Sequence, residues 1–198
     1  MVEKAKVAVL VSGGGTNLQA IINKWKRGEL PHVELDLVVS NRQDAKGIER
    51  AKAADIDSMI ITEDDFEKEL VRVLDYRGDK IIVLAGFLKI LSEGFVKKYS
   101  DRIINVHPSL IPSFCGKGFY GLKVHEEALK KGVKVSGATV HFVNEIPDGG
   151  KIIMQKAVNV MEEDTPKSLQ RRIMEEAEWI ILPKALEQVA KDVVEGNI

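Results

Sequence analysis

Short runs of wholly apolar residues alternate with longer segments of helical period through the first hundred residues, and this alternation leaves few folds open. Val7–Val11 is one such run. A strand without a polar face is a strand buried on both sides, the condition of a parallel sheet covered by helices. Gly13-Gly14-Gly15 ends the run, and Thr16 stands as the expected N-cap of a helix carrying Leu18, Ile21, Ile22 and Trp25 on one face. Further strands are expected at Val33–Val39, Ser58–Ile61, Lys80–Leu84 and Arg102–Val106, with helices at Ala45–Ala53 and, under an acidic cap, at Asp64–Leu74. Such alternation implies a parallel sheet with right-handed crossovers.

The second half reads differently. Val133–Val143 and Lys151–Val160 are strand-like runs joined by the turn Pro147-Asp148-Gly149-Gly150, an antiparallel extension of the same sheet. A long helix follows from about Thr165, with Pro166 tolerated in its first turn and Pro183 expected to kink or break it. With 198 residues and no repeat or linker, the expectation is one α/β domain over 1–198, a mostly parallel twisted sheet with antiparallel C-terminal strands and a long C-terminal helix.

Composition narrows the partners. Lys and Arg number 29 against 30 for Asp and Glu, a net charge of −1. Nucleic-acid binding would call for a basic excess, so a small molecule is favoured. No apolar run approaches the roughly 20 residues that span a bilayer, and the N-terminus shows no signal-peptide pattern. Cys115 is the single cysteine, which fits a reducing compartment, so a cytoplasmic location is expected. The scattered histidines have no metal-ligand spacing, so no metal is expected. Monomer and homodimer are equally open.

Three stretches carry chemistry. Ser12-Gly13-Gly14-Gly15-Thr16-Asn17 lies between the first strand and the first helix. Its glycines let backbone N–H groups approach an anion, and the helix terminus favours negative charge. A phosphate is the natural guest, and a ligand-free tight turn is the alternative. The spacing is not Gly-x-Gly-x-x-Gly, since Leu18 stands where the third glycine belongs, which argues against a dinucleotide. Asn105-Val106-His107-Pro108-Ser109-Leu110 sits at a strand end, with Asn105 and His107 on one face. An amide beside an imidazole suits a carbonyl oxygen that becomes negative, although a structural pair is the commoner meaning of such neighbours. Asp148 is either a plain turn residue or the carboxylate that orients His107 and favours its imidazolium.

Together with Leu84-Ala85-Gly86-Phe87-Leu88-Lys89-Ile90-Leu91-Ser92 and Gly137-Ala138-Thr139-Val140-His141-Phe142-Val143, these stretches resemble the formyltetrahydrofolate-dependent transformylase family along nearly the whole chain. The glycine loop with its Thr16-Asn17-Leu18-Gln19-Ala20-Ile21 ending is similar to the branch that acts on glycinamide ribonucleotide. The resemblance implies a Rossmann-like formyltransferase fold, with a phosphate-binding half about 1–100 and a folate and catalytic half about 80–198. It implies 10-formyltetrahydrofolate as co-substrate and glycinamide ribonucleotide as acceptor, in de novo purine biosynthesis. By the same resemblance Asn105, His107 and Asp148 are catalytic, with a protonated His107 steadying the oxyanion. Gly14, Gly15, Thr16 and Asn17 grip the phosphate, and Glu178 meets the substrate amine. Leu88, Lys89, Ile90 and Leu91 form the wall of the folate pocket, and the 139–148 region, including Val143, its floor. From the residues alone, ordinary core is the favoured meaning of Leu88, Ile90 and Leu91.

Some positions depart from the family pattern. Cys115-Gly116-Lys117-Gly118-Phe119-Tyr120-Gly121 is longer than the link of many relatives, and Leu88 and Lys89 stand where Met and Arg are usual. Thr62–Phe66 is acidic where some relatives carry an arginine. His125 and His32 read as surface or structural histidines, His141 as a strand residue near the site, and Trp25 and Trp179 as core. Two other functions compete. A formyltetrahydrofolate deformylase would use the same catalytic group with water as acceptor, but such enzymes usually carry an extra N-terminal domain. A non-catalytic nucleotide-binding module would keep the glycine loop without needing Asn105, His107 and Asp148 together.

Overall fold

A computed structural model describes residues 2–62 and 65–198. In chain order the elements are β1 (Ala5–Val11), α1 (Thr16–Lys26), β2 (Val33–Ser40), α2 (Lys46–Lys52), β3 (Asp57–Ile60), α3 (Phe66–Arg77), β4 (Ile81–Leu84), α4 (Glu93–Lys98), β5 (Ile103–His107), α5 (Leu122–Lys131), β6 (Val135–Phe142), β7 (Ile152–Asn159), α6 (Pro166–Ile173) and α7 (Trp179–Val194). A π-helical turn, Met174–Glu178, joins α6 to α7.

The strands form one sheet in the order β3-β2-β1-β4-β5-β6-β7. The pairs from β3 through β5 are parallel, and β6 and β7 join antiparallel. Alternate residues of β1 feed two cores. Val7, Val9 and Val11 pack with α1, α2, α6 and α7, while Ala8 and Leu10 pack with α3 and α4. Burial on both faces is what the unbroken apolar runs required. The order reverses between β1 and β4, so the crevice beyond their C-terminal ends is where such a sheet receives a ligand.

Two local expectations are revised, at Thr16 and Pro183, and a third falls outside the described residues. Thr16 is the first helical residue rather than the N-cap; Gly15 caps α1 at φ 68, a left-handed conformation that glycine adopts without a Cβ penalty. Gln19 N–H donates to the Gly15 carbonyl at 2.9 Å, closing the first turn. The expected start of the third helix at Asp64 lies outside the described residues; Asp65 precedes α3 without a side-chain cap bond. Pro183 lies inside α7 without ending it. Its missing N–H faces the carbonyl of Trp179, the first residue of α7, so one bond is forgone at the helix start and the remaining turns continue. The departure from α geometry falls just upstream, in the π turn. Thr165 caps α6 in a capping box with Ser168. The sequence reading had not anticipated α4 or α5.

Candidate active site

A cavity of about 850 Å³ opens beyond the C-terminal ends of β1, β4 and β5. It brings together Gly14, Gly15, Thr16, Asn17, Asn105, His107, Asp148 and Glu178, along with Leu88, Lys89 and Ile90. A smaller cavity of about 150 Å³ adjoins it, lined by Leu91, Val143, Asn105, His141 and Asp148 among others. Every residue named for a catalytic, phosphate, amine or folate role by the resemblance thus lines one of two neighbouring spaces.

Position on β5 explains the pairing of Asn105 and His107. Ile103, Asn105 and His107 share one face of the strand, while Ile104 and Val106 enter the core on the other. The His107 ring is buried and both its nitrogens have neighbours. Nε2–H donates to the Phe114 carbonyl at 2.9 Å, which leaves Nδ1 toward Asp148 Oδ2 at 3.5 Å. That separation is an ion-pair distance rather than a tight hydrogen bond. Desolvation pushes the His107 pKa below the ordinary histidine range, against the upward pull of Asp148 and of the Phe114 carbonyl. Burial thus favours the neutral ring, against the expectation that Asp148 favours its imidazolium.

Asp148 is placed by an unusual backbone, φ 56, which Asp tolerates better than most residues. Burial pushes its pKa up, but His141, His107 and the Gly116 amide together hold it below the usual carboxylate range. Gly116 N–H donates to Oδ2 at 2.8 Å. The glycine-rich segment that departs from the family pattern thus touches both groups, through the Phe114 carbonyl on His107 and the Gly116 amide on Asp148. The sequence offered a signal for this in the cluster of glycines just after His-Pro-Ser.

His141 is more than a neighbour. Its Nδ1–H donates to the Phe142 carbonyl at 2.8 Å, which turns Nε2 toward Asn105 Nδ2 at 3.2 Å as the acceptor. That bond fixes the Asn105 carboxamide and uses only one of its two amide hydrogens. His141 Nε2 also lies 3.6 Å from Asp148 Oδ1.

Glu178 occupies the π turn, buried, where the widened helix turns its carboxylate into the cavity. Asn17 Nδ2 donates to its Oε2 at 2.6 Å. Burial pushes the Glu178 pKa up to about 7, with Asn17 pulling back. One Asn17 Nδ2 hydrogen is thus spent on Glu178, and its backbone N–H stands at the start of α1, the place where a helix receives an anion.

The apolar residues after β4 are not core. Leu88 and Ile90 are 61% and 77% exposed, and so form the rim of the cavity, while Leu91 and Val143 pack against the second core. Lys89 Nζ stands 4.9 Å from the centroid of the Phe66 ring. His125, read as surface or structural, is fully buried beside the cavity with neither ring nitrogen bonded among the described residues. Burial pushes its pKa down to about 4. His32 is structural: its ring meets Glu187 of α7 at 2.6 Å. Trp25 packs against the core and Trp179 borders a second, basic cavity behind the glycine loop. Among the described residues, no helix is long and apolar enough to cross a membrane.

The formyl transferase family profile matches residues 5–186. The chain is 43% identical over 198 residues to the trifunctional purine biosynthetic protein adenosine-3 of Gallus gallus, an alignment covering 97% of this chain and 19% of that protein. It thus spans about a fifth of that relative's length. The crystal structure of glycinamide ribonucleotide transformylase 1 from Symbiobacterium toebii superposes with a TM-score of 0.88 at 38% identity, over 95% of this chain and 88% of that one. A formyltetrahydrofolate deformylase from Pseudomonas syringae pv. tomato superposes with a TM-score of 0.85 at 26% identity, over 96% of this chain and 63% of that one.

Proposed function

Because the chain belongs to the formyl transferase family, we propose that it transfers the formyl group of 10-formyltetrahydrofolate to the amine of glycinamide ribonucleotide, a step in de novo purine biosynthesis. The observation that carries this reading is the one cavity joining an anion-binding loop, a buried carboxylate and the Asn105–His107–Asp148 group. A nucleotide phosphate at the backbone amides of Gly14, Gly15, Thr16 and Asn17 lies beside Glu178, because Asn17 bonds to that carboxylate. An acceptor with a phosphate at one end and an amine near the other matches this arrangement. The folate enters past Leu88 and Ile90, toward Leu91 and Val143.

The chemistry follows from the contacts. The substrate nitrogen attacks the formyl carbon, a C–N bond forms, and the carbonyl electron pair moves onto oxygen. The unspent amide hydrogen of Asn105 meets that oxyanion. His107 rests neutral and takes the surplus proton of the new ammonium at Nδ1, directly or through water. The resulting imidazolium is matched by Asp148. Collapse of the oxyanion breaks the bond to N10 of the folate, and His107 returns the proton to that nitrogen. A ring balanced between burial and a carboxylate suits a proton that is taken and returned.

Glu178 accepts from the substrate amine only as a carboxylate. Its raised pKa means that this form is lost as pH falls through about 7. Loss of the carboxylate therefore adds to the acid-side fall of kcat/KM for the acceptor, beside protonation of His107 and of the substrate amine, and Glu178→Gln lowers activity and removes the Glu178 contribution near pH 7. A limb of unchanged position in the variant would assign the ionisation elsewhere. At the phosphate end, a Cβ on Gly15 would lie 2.7 Å from Gly47 Cα, at a φ of +68. Gly15→Asp adds both this clash and a negative charge, so KM for the ribonucleotide rises on the order of 100-fold. An unchanged KM would remove the phosphate from this loop.

The deciding assay follows formyl transfer with and without the ribonucleotide. Turnover that requires the acceptor supports the transferase. Equal turnover in its absence makes the chain a deformylase, and no turnover under either condition leaves a binding module.

A further inference from the structure

We propose that Arg50, which lies outside the main cavity, is a positioning residue that sets the phosphate affinity of the glycine loop by holding the Gly14 carbonyl turned away from the anion. This rests on the phosphate-binding role given to the loop above.

The loop is held from behind by α2. Arg50 Nε–H donates to the Gly14 carbonyl at 2.7 Å, and Arg50 Nη1 donates to Gln19 Oε1 of α1 at 3.0 Å. One turn earlier, Gly47 N–H donates to the Gly13 carbonyl at 3.1 Å. In a planar trans peptide, the carbonyl of one residue and the N–H of the next point in opposite directions. Tying the Gly13 and Gly14 carbonyls to α2 therefore turns the Gly14 and Gly15 N–H groups the other way, toward the cavity these glycines line. Among the described residues neither amide donates to another backbone group. Two donors are thus pre-set for an acceptor the protein does not supply.

Close packing makes the clamp rigid. A Cβ on Gly15 would meet Gly47 Cα at 2.7 Å, and a Cβ on Gly47 would meet Val11 Cγ2 at 2.7 Å, so loop and helix approach backbone to backbone. The guanidinium adds what geometry cannot. A cationic donor on the Gly14 carbonyl polarises that peptide group, and its N–H, carried by Gly15, becomes the stronger donor. Arg50 also places a positive charge behind the loop while its head faces a separate cavity shared with Lys24, Arg27 and Thr16. Lys24 and Arg27 are both drawn to Glu29, whereas the Arg50 bonds go to neutral acceptors, and among the described residues no carboxylate pairs with it.

The test separates anion positioning from general support of the fold. Arg50→Met raises KM for glycinamide ribonucleotide on the order of 10–100-fold, leaves kcat within a few-fold, and has little effect on kcat/KM for the dephosphorylated acceptor, the glycinamide riboside. Arg50→Lys recovers part of the loss, because a single ammonium keeps the charge but not the two-pronged fork to Gly14 and Gln19. An unchanged ribonucleotide KM in Arg50→Met overturns the proposal, and so does an equal loss on both acceptors. If Arg50→Met does not fold, Arg50→Lys is read by the same two-acceptor comparison. If the wild-type chain transfers no formyl group, the formyl-transfer reading fails on its own. The amide NMR signals of Gly14 and Gly15 titrated with inorganic phosphate then decide the role of Arg50. Weaker saturation in the variant supports it, and identical saturation overturns it.

Discussion

Alanine at His107 lowers kcat on the order of 10²–10⁴-fold while the acceptor KM changes little. The ring makes no contact with the glycine loop; its neighbours are the Phe114 carbonyl and Asp148. On the proposed mechanism alanine removes the proton carrier used in the transition state, so the loss falls on kcat and kcat/KM together. Asn105→Ala removes an oxyanion donor and costs on the order of 10²–10³. The double variant loses far less than the product of the two, because the groups act on one intermediate. Asp148→Asn keeps the shape of the turn, deprives the imidazolium of its counter-charge, and loses activity well beyond the modest stability lost with the carboxylate's contacts to His141 and Gly116. Steady-state kinetics with a thermal melt on each variant checks all of this. A His107→Ala enzyme with near wild-type kcat would remove the residue from the chemistry.

The second large effect is on stability. Alanine at Gly150 places a Cβ 1.7 Å from the Phe142 carbonyl oxygen and 2.7 Å from its carbon. Both are backbone atoms of β6, so no side chain can swing aside, and the turn that carries Asp148 must move. Overpacking of this kind costs about 3 kcal/mol or more, which for a chain of this length lowers Tm by roughly 6–12 °C. Activity falls further than stability, because the same shift displaces the Asp148 carboxylate from His107 and His141. Gly94→Ala is the contrast: in α4 its Cβ meets only Ser92 Oγ at 3.9 Å, so it is neutral or stabilising by about 0.5–1 kcal/mol. Equal melting temperatures for Gly150→Ala and wild type would mean that the turn relaxes freely.

These two glycines show why some of the site was legible in the chain and some was not. Asp148-Gly149-Gly150 announces a turn, and the reading of a turn between two strands was sufficient to place β6 and β7. The reason for the second glycine, a carbonyl of a preceding strand, is a contact across the fold that no local pattern records. The same holds for Glu178. Its place before Pro183 was visible, but not its burial in a π turn or its bond to Asn17, 161 positions away in the chain. His125 reads as surface or structural because the sequence does not announce the helix that carries it, and its burial beside the cavity is set by tertiary packing. For Leu88 and Ile90 it is the resemblance that points to a pocket wall, since apolar character alone does not distinguish a cavity rim from a core.

By itself the sequence determined the layering. Apolar runs broken by glycine and separated by helical period can bury their strands only in a parallel sheet covered on both faces, and this places a glycine loop and an Asn-x-His-Pro strand end at the same edge. Tertiary structure alone decided the charge states and the supports. Burial, set by every element around a group, favoured the neutral form of His107 and raised Glu178, and only the folded chain brings Arg50 behind Gly14, Gly116 onto Asp148 and His141 onto Asn105. Local pattern follows from each residue's own backbone and side-chain preferences. Desolvation and long-range hydrogen bonds depend on which distant residues share the space, and that is fixed only when the sheet closes around them.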